Sequence, residues 1–224
     1  MFPVLHTDQP KFPASALEQD VHLPFDNSVI NDRSYNHIQI FAQIRQLLLA
    51  RRSPKISLTS LRDLFNALDA SILQHLYQDC LDVSDASRRS HALVLAAQVF
   101  VYVTLRQVPP GTPLVCRICS RLQNTIGLAL PERAIWTNDK AALLWISYIG
   151  LLGIGPADET ETFSERLWFL GLFQSSLLEF PQESPLVHDS IYRVMYTFLW
   201  DEAYCQAVLA DALNDFRVDL GKSF

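Results

Sequence analysis

Apolar residues recur at intervals of three and four along most of this chain, which is the period of one face of an α-helix. The first such stretch begins at Ser34 and ends near Arg51-Arg52, because the following Ser53-Pro54 disfavours continuation of a helix. A second stretch with a wider apolar stripe comes next. The stripe residues are Ile38, Phe41, Ile44, Leu47 and Leu48 in the first predicted helix and Leu61, Leu64, Phe65, Leu68, Ile72, Leu73 and Leu76 in the second.

The segment from Ser84 to about Arg106 is polar only in its first turns and then apolar on nearly all sides. A helix without a polar face is typical of the centre of a bundle. Its β-branched residues are also compatible with a strand, but strands rarely exceed about ten residues, so the length favours a helix. Pro109-Pro110-Gly111 ends it, and the next helix begins with Thr112 as N-cap and Pro113 at the first helical position.

The second half of the chain continues in the same way. Thr137-Asn138-Asp139 is predicted to cap a helix from Ala141 to about Leu152, and Gly153-Ile154-Gly155-Pro156 ends that helix. Later helices are predicted over residues 165–180, over 187–200 and in a final segment to about 216. About seven to eight helices with short Pro- and Gly-containing connections predict an all-α multi-helix bundle. We expect one domain over residues 34–224, preceded by a proline-containing arm or linker over 1–33.

Composition and charge narrow the function. The 224 residues are 49% hydrophobic, enough for one large core, and the net charge is −6. An acidic surface repels the phosphate backbone, so we expect no direct binding to nucleic acid. Two uncharged runs, 91–105 and 141–157, are shorter than the roughly 20 apolar residues of a membrane-spanning helix. We therefore expect no membrane association and an intracellular location, in the nucleus or the cytoplasm.

The sequence offers no pattern of metal ligands, cofactor contacts or catalytic residues. Cys116 and Cys119 form a CxxC inside a predicted helix rather than at its N-terminus, where a redox thiol is activated, which favours structural cysteines. The glycines between Gly150 and Gly155 close a helix, whereas a nucleotide-binding loop opens one after a strand. His91 begins the most apolar stretch and is either desolvated there or partly exposed. The sequence predicts no metal and no cofactor, and it favours a protein without enzymatic activity.

Three stretches, taken in order, carry a resemblance to a known family. The first runs from His91 to Pro110, with a Leu-Arg-x-x-Pro turn at 105–109, and is followed by Arg121-Leu122. The second is Leu143-Leu144-Trp145-Ile146 and, after a short acidic loop, Arg166-Leu167-Trp168-Phe169. The third is the Leu-Trp segment from Phe198 to Cys205. Over roughly residues 57–216 the chain resembles the helical regulatory domain of fungal zinc-cluster transcription factors.

The resemblance implies an all-α regulatory or interaction module. We expect it to bind a partner protein, a second copy of itself or a small apolar effector. The family's six-cysteine DNA-binding module has no counterpart in this sequence, so no DNA-binding domain of its own is expected. The candidate binding residues are His91, Arg106, Arg121, Trp145, Arg166, Trp168 and Trp200.

The same residues also have a structural interpretation. The three tryptophans would join helices as buried anchors, and the three arginines would pair with carboxylates or with carbonyls at helix C-termini. An alternative function is a stand-alone helical small-molecule-binding protein, or a cofactor-free enzyme, of a fungal biosynthetic pathway. A third interpretation is a truncated gene product without independent function.

Overall fold

The computed structural model describes residues 35–53, 56–79, 84–127, 136, 139–155, 163–180 and 187–221, with the backbone only at 35, 36, 78, 79, 163, 187–189 and 214–221. Within these ranges the chain forms eight α-helices and no strand, which confirms the predicted all-α multi-helix bundle. No helix in the described ranges has the length and apolar character needed to cross a membrane. The predicted arm over residues 1–33 lies outside the described residues.

The helices follow the predicted order along the chain. A π-helical turn over Val101–Leu105, called the π-turn below, continues α3 without a break. The α-helices are α1 over Tyr35–Arg52, α2 over Leu58–Asp79, α3 over Asp85–Phe100, α4 over Pro113–Gly127, α5 over Lys140–Ile154, α6 over Phe163–Leu177, α7 over Val187–Thr197 and α8 over Glu202–Gly221.

Two helices form the centre of the bundle. Helix α3 packs against α1, α2, α4 and α5, and α5 also contacts α6, α7 and α8. Between Ala92 and Val101 every residue except Gln98 is buried, and from Leu144 to Gly155 every residue is buried. The prediction that the apolar segment after Ser84 is a central helix is therefore confirmed, because such a helix has to be covered on all sides.

The helix starts were predicted well, but the capping side chains only in part. Ser84 caps α3, since its hydroxyl accepts a hydrogen bond from the amide of Ser87 at 3.2 Å. Pro113 begins α4 as predicted, yet the Thr112 hydroxyl has no hydrogen-bond partner among the described residues. Asp139 precedes α5 without capping it, because its carboxylate accepts a bond from Arg89 at 2.5 Å.

Glycines allow α5 to lie close to its neighbours. A Cβ atom at Gly150 would overlap the ring of Phe169 on α6. At Gly153 it would come within 2.6 Å of Val99 on α3 and 2.7 Å of Cys119 on α4. Gly155 ends α5 with φ of 74°, as the glycine-rich sequence predicted.

The other residues of the predicted α2 stripe, and Leu172 and Phe173 on α6, face the core as predicted, but one position on each helix differs. Leu73 on α2 is 63% exposed, whereas His75 is buried. On α6 the residue that is fully buried is Phe169, and Trp168 is only half-buried at the edge of the core. Trp168 was expected on the inward face; the face that contacts α5 is instead centred on Phe169 and Phe173, because Gly150 leaves room for the Phe169 ring.

Candidate functional site

An apolar cleft opens where the π-turn and the loop after it meet the C-terminal end of α5 and the first turns of α8. Its volume is about 190 Å³. The polar side chains in its lining are those of Gln107 and Tyr204, and the remaining lining residues are apolar. We call it the α3–α8 cleft; it is lined by Val103, Gln107, Val108, Pro109, Pro110, Leu152, Tyr204 and Val208.

The π-turn builds the inner wall of this cleft. The amide of Arg106 donates to the carbonyl of Val101, five residues earlier, at 2.9 Å. Two side chains bond to carbonyls around the turn: Thr104 Oγ1 donates to Phe100 at 2.7 Å, and Arg51 on α1 donates to Thr104 at 2.7 Å. A π-turn interrupts the regular helical bonds and is frequently found at functional sites. Here it is supported by a hydroxyl and by a guanidinium from another helix.

The loop after the π-turn is held in one conformation. Gln107 has φ of 55°, in the left-handed region that costs a non-glycine residue on the order of 1 kcal/mol or more. The amide of Val108 donates to the carbonyl of Tyr102 at 2.9 Å, and that of Gly111 donates to Gly153 at the end of α5, also at 2.9 Å. The two adjacent prolines restrict the backbone further. The cleft therefore has a preformed wall that includes a conformationally unfavourable residue.

The opposite wall is one face of α8. Tyr204 and Val208 lie four residues apart and therefore on the same side of the helix. Asp211 follows at the next turn of that face and is exposed. At the start of the helix Asp201 accepts a hydrogen bond from the amide of Ala203 at 3.1 Å, which places a second carboxylate at the N-terminal end of the face. The α8 wall is thus apolar in the middle and acidic at both ends.

Arg106 adjoins the cleft in sequence but is engaged elsewhere. Its guanidinium lies over the rings of Phe65 and Tyr102, 5.1 Å and 5.3 Å from the ring centres, and pairs with Asp69 on α2 at 2.5 Å. The predicted pairing of this arginine with a carboxylate is confirmed. These contacts neutralise its charge on the α2 side of the π-turn.

The other two arginines differ from each other. Arg166 donates to the carbonyl of Gly155 at the end of α5, as expected for a cation at a helix C-terminus. Arg121 is exposed, and its side chain has no recorded partner within the described ranges. The structural interpretation is confirmed for Arg106 and Arg166 and stays a prediction for Arg121.

Two of the three candidate tryptophans lie in the core, in two aromatic groups that both join α5 to the segment between α7 and α8. Trp145 stacks on Phe198 with ring centres 5.3 Å apart, and its indole N–H donates to the carbonyl of Leu199 at 3.1 Å. Trp200 lies 5.9 Å from Tyr148, whose hydroxyl donates to the carbonyl of Cys205 at 2.7 Å. We call the two groups together the Trp145 cluster. Ring contacts join Phe41, Trp145 and Phe198 in the first group and Tyr148 and Trp200 in the second, and they connect α1 and α5 to the segment between α7 and α8.

The remaining candidates are dispersed. Trp168 makes an edge-to-face contact with Phe169, with ring centres 4.9 Å apart, and His91 is half-buried on α3. None of the seven candidate residues lines the α3–α8 cleft. Their role in binding stays a prediction, and within the described residues Trp145 and Trp200 have different aromatic partners.

The described cysteines have the electrostatics of structural thiols. Burial raises the pKa of the Cys119 thiol well above its ordinary value and that of Cys205 to about 11. Burial, followed by the charge of Glu165, also raises the pKa of Cys116. A thiol with a raised pKa stays protonated at neutral pH and is a poor nucleophile. No group of three or more potential metal ligands occurs among the described residues.

The sequence did not reveal a polar cluster between the first three helices. Ser90 on α3 has its hydroxyl 3.0 Å from Nδ1 of His37 on α1 and 3.1 Å from Nε2 of His75 on α2. Ser90 and His75 are buried. These residues are far apart in the chain, so no local pattern could have joined them. The cleft was missed for the same reason, although the Pro109-Pro110 pair was a local signal for its rigid wall.

Comparison of the chain with protein-family models, with curated proteins and with solved structures finds no match.

Proposed function

We propose that this chain is a regulatory or interaction module of the transcription-factor type, which binds a partner protein or a small apolar effector. The α3–α8 cleft is the observation that carries the proposal. It is a preformed apolar recess, and its wall contains Gln107, Val108 and Pro109, the last three positions of the Leu-Arg-x-x-Pro turn on which the family resemblance partly rests.

The size of the cleft favours a partner protein over a large effector. Pockets for drug-sized molecules occupy about 300–1,000 Å³. An apolar cavity of roughly 150 Å³ holds one benzene molecule, and the cleft measures about 190 Å³. It therefore fits one aromatic or branched aliphatic side chain. Such single buried side chains dominate the energy of many protein interfaces.

The charges support a protein partner over a nucleic acid. Asp201 and Asp211 stand at the two ends of the α8 wall, and the whole chain carries a net charge of −6. Carboxylates next to a binding site repel phosphate groups. The proposal therefore includes no direct contact with DNA or RNA.

A second candidate function is the binding of a small apolar molecule by a stand-alone protein. The apolar lining of the cleft, with Gln107 and Tyr204 as orienting polar groups, favours this candidate for ligands of about one ring. Larger metabolites would need the cleft to widen.

A pull-down with a blocked variant tests the proposal. Val208→Trp fills the cleft from α8, and Ala207→Trp places the same side chain on the exposed side of that helix as a control. We expect nuclear extract to yield a transcriptional partner that the wild type and Ala207→Trp retain and Val208→Trp loses. If all three proteins remain monomeric by size-exclusion mass measurement and recover no such partner, the proposal is wrong.

A further inference from the structure

We propose that the α3–α8 cleft recognises a basic peptide segment of a partner protein, which inserts one aromatic or branched aliphatic side chain between the π-turn and α8. This inference rests on the proposed partner binding and adds the chemistry of the partner. The occupant is defined by three properties of the site: the volume of the cleft, the charge at its ends and the rigidity of its wall.

The volume sets the anchoring side chain. About 190 Å³ accommodates one ring or one branched aliphatic group. Val103, Leu152 and Val208 supply apolar contacts from three separate elements, so an inserted side chain is covered on several sides. An anchor that is covered on several sides loses most of its contact with water, which is the condition for a large contribution to binding.

The charge sets the residues on either side of the anchor. Asp211 is exposed and lies on the α8 face that forms the wall, and Asp201 lies immediately before the first turn of the same helix. The nearest cation along the chain, Arg106, is already paired with Asp69 and covered by Phe65 and Tyr102. The α8 side of the cleft is therefore negative. Lysine or arginine residues next to the anchor complement it and accelerate association.

The rigidity of the cleft wall indicates what kind of ligand it binds. The π-turn, the left-handed Gln107 and the Pro109-Pro110 pair are held by hydrogen bonds to Tyr102 and Gly153 within the chain. A site that is ordered before binding loses less conformational entropy when a ligand enters. Because the wall is already ordered, the conformational entropy lost on binding is mainly that of the peptide. The wall is thus suited to binding a flexible peptide.

Direct titration tests the peptide chemistry on the wild-type protein. The probe is a short fluorescent peptide with one central phenylalanine and lysines at both ends. Its first twin has alanine at the centre, and its second twin has glutamates at both ends. We expect the alanine twin to bind at least about tenfold more weakly, because the anchor is lost. We expect the glutamate twin to bind several-fold more weakly at low salt, with a smaller difference at high salt.

Matched variants locate the binding. Asp211→Lys should lower the affinity for the lysine peptide several-fold and raise the affinity for the glutamate twin. Asp63→Lys, on the exposed side of α2, should change neither affinity. Val208→Trp should abolish binding and Ala207→Trp should preserve it. Because the peptide arms use unaltered protein, the inference stays testable even where Val208→Trp impairs folding.

Each contrary result has a distinct meaning. Equal binding of the lysine and glutamate peptides overturns the basic-partner assignment. A wild-type dimer that Val208→Trp converts to a monomer identifies a second copy as the occupant and also overturns it. If the pull-down partner depends on the cleft but no peptide binds, the inference fails and the proposed function stands. If the peptides bind and the pull-down yields no transcriptional partner, the proposed function fails instead.

Discussion

The Trp145 cluster and the α3–α8 cleft are both built on α5 and on residues at or near the start of α8, yet they are packed in opposite ways. In the cluster, the centres of contacting rings are 5.3–6.5 Å apart, and the indole of Trp145 and the hydroxyl of Tyr148 both have hydrogen-bond partners. In the cleft, about 190 Å³ is left open beside a backbone that includes a left-handed glutamine. Complete packing stabilises the fold, whereas an open apolar recess with a fixed wall leaves apolar surface for another molecule.

The largest expected effect is the loss of the central ring of the cluster. Trp145→Ala should lower the free energy of unfolding by roughly 3–5 kcal/mol, because it removes a fully buried ring, leaves a cavity and frees the carbonyl of Leu199. Chemical denaturation measures the change. A loss below about 1 kcal/mol would show that the cluster is as loosely packed as the cleft, and the comparison would then fail.

The second largest expected effect is a decrease in the free energy of unfolding at alkaline pH, caused by buried groups at and near the Trp145 cluster. The pKa of the Cys205 thiol is raised by burial to about 11, and burial also raises the pKa of the Tyr148 hydroxyl. A group that holds its proton more tightly in the folded state stabilises the protein below its unfolded pKa, about 9 for this thiol, and this stabilisation is lost as pH rises toward 11. Unfolding free energy should fall by about 2–3 kcal/mol from the thiol alone. In Cys205→Ala the fall should be smaller, and an equal fall would contradict the assignment to this thiol.

Close packing of α5 against α6 gives a third test. Gly150→Ala should lower the unfolding free energy by about 1–3 kcal/mol, since the added methyl group overlaps the Phe169 ring. Gly171→Ala is a matched control on α6, where the added atom meets nothing within 4 Å. The control should be neutral or stabilising by up to about 1 kcal/mol, because alanine favours a helix. Thermal melts of both variants compare them, and equal melting temperatures would refute the close approach.

Trp168 should contribute less than its size implies. It is half-buried at the edge of the core, so Trp168→Ala should cost about 1–2 kcal/mol, whereas Phe169→Ala should cost roughly 3–5 kcal/mol. Circular dichroism melts of the two variants measure the order. If Trp168→Ala lowers the melting temperature more than Phe169→Ala does, the placement of Phe169 rather than Trp168 in the core is wrong.

The smallest effect on stability is expected in the cleft. Val208 is half-buried beside an open volume, so Val208→Ala should change the free energy of unfolding by less than about 1 kcal/mol. The same variant should weaken binding of the lysine peptide measurably. A large loss of stability would show that Val208 is a core residue, and the cleft would then not differ in packing from the Trp145 cluster.

The sequence by itself determined the helices, because their limits depend on neighbouring residues. Gly155 ends α5 through its left-handed backbone, Pro109-Pro110 disfavour a helix a few positions after Leu105, and Ser84 begins α3 through its own hydroxyl. The apolar character of the segment after Ser84 was likewise sufficient to place it at the centre of the bundle.

Only the tertiary structure decided which residues meet. The π-turn is supported by Arg51 from α1, the Ser90 hydroxyl joins histidines from two other helices, and the cleft combines α5 and α8 with a loop from far earlier in the chain. Phe169 on α6 can face α5 because Gly150 on that helix leaves space for its ring. Periodicity along one helix contains no information about the shape of its neighbour, so these contacts, and with them the candidate site, follow from packing.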